Sequence, residues 1–187
     1  MTWSPLSAAC QSETPKTRWR AVPFTAGKGL DIGCGKDRLF DTEYVVGVDS
    51  FDAAAQGLSV AASMKVDARD LSQFAGGTWD FVYSSFLLHL FPYQDVPNVL
   101  REWMRLLKAN GNLVLYLPDA DTFPKCAEPA LGIGAEGGFN PAQQWNVTYE
   151  RVVAALEKVA FNWDLIYFEK CCADDEYGLF FVIRRLK

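Results

Sequence analysis

Two glycines two positions apart, Gly33 and Gly35, close an apolar run in GLDIGCGKDRL, with Cys34 between them and Asp31 two residues before the first. Glycine at the end of a strand lets the backbone approach a ligand closely. A dinucleotide loop carries a third glycine three residues on, so that the following helix can pack tightly and meet the pyrophosphate. Arg38 stands at that position. A carboxylate at Asp31 would repel a pyrophosphate and attract a cation. The loop therefore suits a nucleoside-type ligand that carries positive charge and no phosphate. Cys34 reads equally as a small buried filler between the glycines.

Further along, Asp49 closes VVGVD and Asp67-Ala68 lie in KVDARDL. A carboxylate closing a strand beside such a loop can take both hydroxyls of a ribose, or it can simply end the strand. Asp67 can read a base or sit in a turn beside Arg69. His89, the single histidine, follows Tyr83, Ser84 and Ser85 in WDFVYSSFLLHLF. With an ordinary pKa of about 6.5 it is suited to taking a proton at neutral pH. The alternative is a core histidine satisfied by a backbone carbonyl. Tyr83, Ser84 and Ser85 are its rivals for the chemistry.

The elements that must position these residues follow a strand–helix rhythm. KGLDIG, YVVGVD, AASMKVDA, WDFVYSS and GNLVLYLPD read as five short strands. FDAAAQGL is a weak helix pattern. QDVPNVLREWMRLLKAN is a strong one, with Val99, Leu100, Trp103, Leu106 and Leu107 at helical spacing and Asn110-Gly111 as its stop. TYERVVAALEKVAF is a further helix, opened by Thr148 as an N-cap without a capping box, since Arg151 replaces the glutamate. WDLIYFEKCC and LFFVIRRL flank a turn and complete the sheet. The expected fold is α/β: a doubly wound, mostly parallel seven-stranded sheet, Rossmann-like, with one antiparallel strand near the C-terminus. Residues 1–26 form an arm or partial lid, and 27–187 a single domain. Residues 119–147 form a long connection holding Phe123, Phe139 and Trp145, read as an acceptor-site loop.

The 187 residues carry a net charge of -5 and 50% hydrophobic content, which is globular and lacks the basic patch of a nucleic-acid binder. The cysteines number five and form no C-x-x-C, so they read as reduced thiols in a cytoplasmic protein with no metal site. MTWSPLSAAC has no signal-peptide pattern. No apolar run reaches the roughly 18 to 20 residues of a membrane helix.

LDIGCG resembles the first motif of class I S-adenosyl-L-methionine-dependent methyltransferases, and the later segments follow in the family's order. The resemblance implies S-adenosyl-L-methionine as cofactor, whose ammonium and sulfonium suit Asp31. It implies Gly33, Cys34 and Gly35 as the cofactor loop, Asp49 with Ser50 at the ribose, Asp67-Ala68 at the adenine, and Ser84 on the fourth strand facing the cofactor. The region of His89 would face the transferring methyl, as a general base or a group that orients the acceptor. The stretch from Asp31 to Asp49 is too short for a full first helix. In this the chain resembles an abbreviated subgroup associated with glycan and cell-surface synthesis. YSSF differs from the Asn/Asp-Pro-Pro-Tyr/Phe motif that methylates nucleobase amines. The expected reaction is thus methyl transfer to an oxygen or nitrogen of a small molecule or glycan. A non-catalytic subunit or scaffold, or another Rossmann-like nucleotide enzyme, stands as the alternative, the missing third glycine counting against the latter.

Overall fold

The computed structural model describes residues 14–35, 37–50, 63–122, 143–171 and 176–187. Its sheet has seven strands: β1 Gly29–Ile32, β2 Val45–Asp49, β3 Met64–Lys65, β4 Trp79–Ser85, β5 Leu107–Pro118, β6 Trp163–Cys171 and β7 Gly178–Arg185. The spatial order is β3-β2-β1-β4-β5-β7-β6. β1 runs parallel to β2 and β4, β3 parallel to β2, and β5 parallel to β4. β7 runs antiparallel to both β5 and β6. The mostly parallel sheet with one reversed strand is the expected arrangement.

Side chains alternate along the central strands and build two cores. One face of the sheet carries Leu30, Ile32, Val82, Leu113, Leu115 and Phe181. It is covered by helices α2 (Val96–Leu106) and α3 (Tyr149–Leu156), whose Val99, Leu100, Trp103, Val152 and Leu156 are buried there. The other face carries Phe81, Tyr83, Val114, Tyr116, Phe180 and Val182, and Ala21 of helix α1 (Thr14–Ala21) packs on it. Fully burying one such side chain contributes about 1.5 to 3 kcal/mol. The N-terminal segment is therefore a structural layer wherever it is described, docked by a Thr17 Oγ1–Tyr83 hydroxyl hydrogen bond of 3.0 Å.

Local signals place α3 well. Thr148 is extended, and its side chain accepts the Arg151 N–H at 3.3 Å, the cap expected from its position. The end of α2 differs from expectation. The helix stops at Leu106, Leu107 is already extended, and Asn110-Gly111 fall inside β5 rather than terminating a helix. Asn110 takes a positive φ of 66° where the pairing of β5 with β4 shifts register between Trp79 and Phe81. The helix-end carbonyls are met by several donors: Met104 by the Leu107 N–H, Arg105 and Leu106 by the Gly77 and Thr78 N–H groups at 3.0 Å each, and Met104, Arg105 and Leu107 also by the Arg185 guanidinium of β7.

No helix occurs among the described residues between β1 and β2, in keeping with the short spacing there. The weak helix pattern FDAAAQGL and most of the 119–147 connection lie outside the described residues.

Candidate cofactor and acceptor site

Parallel strands bring the C-terminal ends of β1, β2, β3 and β4 to one edge of the sheet. The strand order reverses between β1 and β4, the position where open α/β sheets bind ligands. The Gly33–Gly35 loop sits at that reversal. Gly33 and Gly35 have φ of 73° and 52°, a region that side-chain-bearing residues avoid. A Cβ on Gly33 would lie 2.7 Å from the Leu87 side chain, so glycine is needed for the loop to approach the segment after β4. A Cβ on Gly35 would meet nothing within 4 Å, so the loop opens to free space there.

Asp49 Oδ2 accepts the Gly35 N–H at 2.9 Å, which joins the end of β2 to the glycine loop. Ser50 follows on the exposed surface. Cys34 is buried against Gly47, and burial pushes its thiol up to about 12, so it stays neutral. Asp31 is 1% exposed and its Oδ2 accepts the Leu39 N–H at 2.7 Å. Burial raises its pKa to about 7, against the lowering effect of the Leu39 hydrogen bond and of Arg38 and Arg18. In this geometry Asp31 shapes the loop from beneath.

Asp67 is exposed and turned toward Arg69, with Oδ2 2.6 Å from Nη2 and Oδ1 3.0 Å from Nε. The hydrogen bond from Arg69 holds its carboxyl below the ordinary range. The Ala68 carbonyl accepts the Trp103 indole N–H at 2.8 Å. Ser84 is buried and donates to the Ile32 carbonyl at 2.9 Å, stitching β4 to β1. Tyr83 is buried beneath α1 and its hydroxyl is pushed up to about 12 by desolvation, which removes it as a base.

His89 lies in a single 3-10 turn, Leu88–Leu90, just past β4. It is 1% exposed, and its Nδ1 has no hydrogen-bond partner among the described residues. Desolvation lowers its pKa to about 3, so the imidazole is neutral at physiological pH. The Phe86 ring packs edge-on against it at 5.7 Å, on a backbone of φ 51°. Strained non-glycine backbone of this kind gathers at functional sites. Phe86 also contacts Tyr116 and Tyr177, giving the edge an aromatic wall beside the half-buried Ser85. Phe86, Leu87 and Tyr177 had no signal in the sequence beyond nearness to the motif or none at all.

The long connection is pinned at both ends. Asp119 N–H donates to Tyr177, Ala120 N–H to Val147, and Gln144 N–H to the His89 carbonyl. Of its three aromatic residues, Phe123 and Phe139 lie outside the described residues, whereas Trp145 is fully buried in the core beside Tyr93. A separate cleft of about 230 Å³ between Pro23, Asp80 and Lys108 opens at the opposite edge of the sheet.

Residues 30–115 match the family described as a methyltransferase domain. A solved S-adenosylmethionine-dependent methyltransferase from Mesorhizobium loti is 18% identical, with 95% of this chain and 99% of that chain covered at a TM-score of 0.63. A protein from Pyrococcus horikoshii OT3 is 22% identical over 95% of this chain and 93% of its own, at a TM-score of 0.66. A Thermotoga maritima structure, titled a possible histamine N-methyltransferase, is 19% identical over 91% and 87%, at a TM-score of 0.61. No curated protein sequence matches.

The methyltransferase-domain match over residues 30–115 supports a methyltransferase enzyme with S-adenosyl-L-methionine as cofactor, and the shared fold agrees with it. The site fits that cofactor: the loop is open at Gly35, and a carboxylate stands beside it at Asp49. When bound, the cofactor supplies a methyl group on a sulfonium, ready for attack by a nucleophile. No helix among the described residues is long and apolar enough to cross a membrane.

Proposed function

We propose that the chain methylates an oxygen or nitrogen of a small molecule or glycan. The observation that carries this reading is His89. A buried, neutral imidazole with an unpartnered Nδ1 stands behind an aromatic wall, two residues past the Leu87 contact with Gly33. An unmade hydrogen bond at a buried nitrogen is costly, of the order of 1 to 3 kcal/mol, and an acceptor hydroxyl or amine would satisfy it. His89 then orients the acceptor through a hydrogen bond at Nδ1. Gly33, Cys34 and Gly35 hold the cofactor through their backbone, Asp49 and Ser50 its ribose, and Asp67 and Ala68 its adenine. Asp31 and Ser84 support that shell from below. The Thermotoga maritima neighbour, named as a possible histamine N-methyltransferase, lends support to a nitrogen acceptor.

A second reading is a non-catalytic subunit that keeps the fold. It is favoured by the ion pair that engages Asp67 with Arg69. Titration calorimetry with S-adenosyl-L-methionine, its demethylated product and NAD separates the readings. The first two bind to an active enzyme and NAD does not. Asp49→Ala weakens cofactor binding by about 30-fold or more, the equivalent of about 2 kcal/mol or more, with the fold intact. Equal affinity in this variant would remove the ribose assignment.

A further inference from the structure

The segment between β1 and β2 contains no helix among its described residues, yet Leu39 within it is fully buried. Buried backbone polar groups need partners, and a helix would have supplied them internally. Side chains supply them here. Asp31 Oδ2 accepts the Leu39 N–H at 2.7 Å. From the opposite side Arg18 of α1 donates from Nε to the Leu39 carbonyl at 2.6 Å and from Nη2 to the Arg38 carbonyl at 3.0 Å. The planar guanidinium fork spans two successive carbonyls, which a lysine ammonium cannot do with the same geometry.

We infer that Arg18 is a positioning residue for the cofactor site, its guanidinium taking the place of the missing first helix by clamping residues 38–39 and so holding the Gly33–Gly35 loop. The inference rests on the proposed reading of that loop as the cofactor cradle. The loop has fixed points at each end. Gly33 and Cys34 N–H donate to the Val48 carbonyl and Gly35 N–H to Asp49, while, four residues on, the Leu39 backbone is held by Asp31 and Arg18. Releasing the Arg18 contacts frees the Gly35–Leu39 stretch to move and leaves two carbonyls in a buried setting without their donors. The cofactor must then order the loop when it binds, which weakens its affinity.

α1 offers an internal control. Arg20, two residues on and on the opposite face of the helix, pairs with Glu169 and Glu176 of the β6–β7 region at 3.2 and 2.7 Å. Arg20→Ala loosens the docking of α1 without touching residues 38–39, whereas Arg18→Ala removes the clamp.

The test measures three quantities on wild type, Arg18→Ala, Arg18→Lys and Arg20→Ala: S-adenosyl-L-methionine affinity, melting temperature, and amide hydrogen exchange of residues 35–41. Arg18→Ala is expected to weaken the cofactor at least tenfold and to speed exchange at the Leu39 amide, with Arg18→Lys restoring little of either. Arg20→Ala is expected to lower the melting temperature while keeping affinity within twofold and the Leu39 amide protected. Wild-type affinity and protection in Arg18→Ala overturn the inference, as does an equal loss in Arg20→Ala. Failure of the wild type to bind the cofactor sinks the cofactor reading instead. The exchange rates then still decide whether Arg18 holds the loop.

Discussion

His89 titrates near 6.5 in an unfolded chain and at about 3 in the folded one, because burial disfavours the imidazolium. The proton balance fixes the sign of its effect on stability. Below pH 6.5 the unfolded chain binds a proton that the native state refuses. The contribution of His89 is therefore complete above pH 6.5 and is lost as the pH falls toward 3. Asp31, raised to about 7, acts with the opposite sign: its contribution is complete below the ordinary aspartate range and is lost as the pH rises through 7. In the overlap the two oppose one another, so a single titration of the wild type conceals both. Comparing denaturant stability of wild type and His89→Gln separates them. Between pH 6 and 4 the wild type loses stability relative to the variant by about 1.4 kcal/mol per pH unit; parallel curves would mean that His89 titrates normally. Turnover follows the same logic. With an acceptor found by screening amines and hydroxyl compounds, His89→Ala lowers the rate by about 100-fold through lost positioning of the acceptor. The wild-type rate shows no limb from this residue near pH 6.5, and finding one there would contradict a buried neutral imidazole.

Elements are held by their ends as well as by their faces. In α3 the Thr148 side chain satisfies one of the amides that every helix N-terminus leaves open. Thr148→Ala is expected to cost about 1 kcal/mol, measured by chemical denaturation, with cofactor affinity unchanged; no loss of stability would mean that the cap is redundant. The cap was readable in the sequence because a threonine before an apolar helical pattern is a local signal. The end of α2 was not readable in the same way. Asn110-Gly111 is a good local stop, yet Gly77, Thr78 and Arg185, distant in the chain, donate to the helix-end carbonyls and the strand begins at once. Both are helix-terminus effects, the first made by a neighbouring side chain and the second by donors far away in the sequence.

Across the whole molecule, charge sets a prediction that no single contact does. A net charge of -5 with no basic patch in the sequence gives duplex DNA nothing to release counterions against. Binding to duplex DNA is expected to stay in the micromolar range or weaker at physiological salt, and fluorescence anisotropy showing tighter binding would overturn this. The edge at which β1 to β4 end gathers Gly33, Asp49, Asp67 and His89 because parallel strands end on one side. The candidate residues thus collect at one edge although they span more than fifty positions of the sequence.

Strand rhythm, the α2 and α3 patterns, the glycine loop and the candidate carboxylates were legible in the amino-acid order, since each depends on residues within a few positions of one another. Period and turn chemistry act locally, and they suffice for an α/β sheet with a ligand loop at the end of its first strand. The tertiary structure alone decided what surrounds each candidate. It turned the Asp31 carboxylate to Leu39, buried His89 and stripped its charge, placed Trp145 in the core, and brought Arg18 across from the N-terminal helix to the loop. Desolvation and the partner of a buried polar group are set by atoms distant in the chain, and those distances exist only once the sheet has formed and its helices have docked.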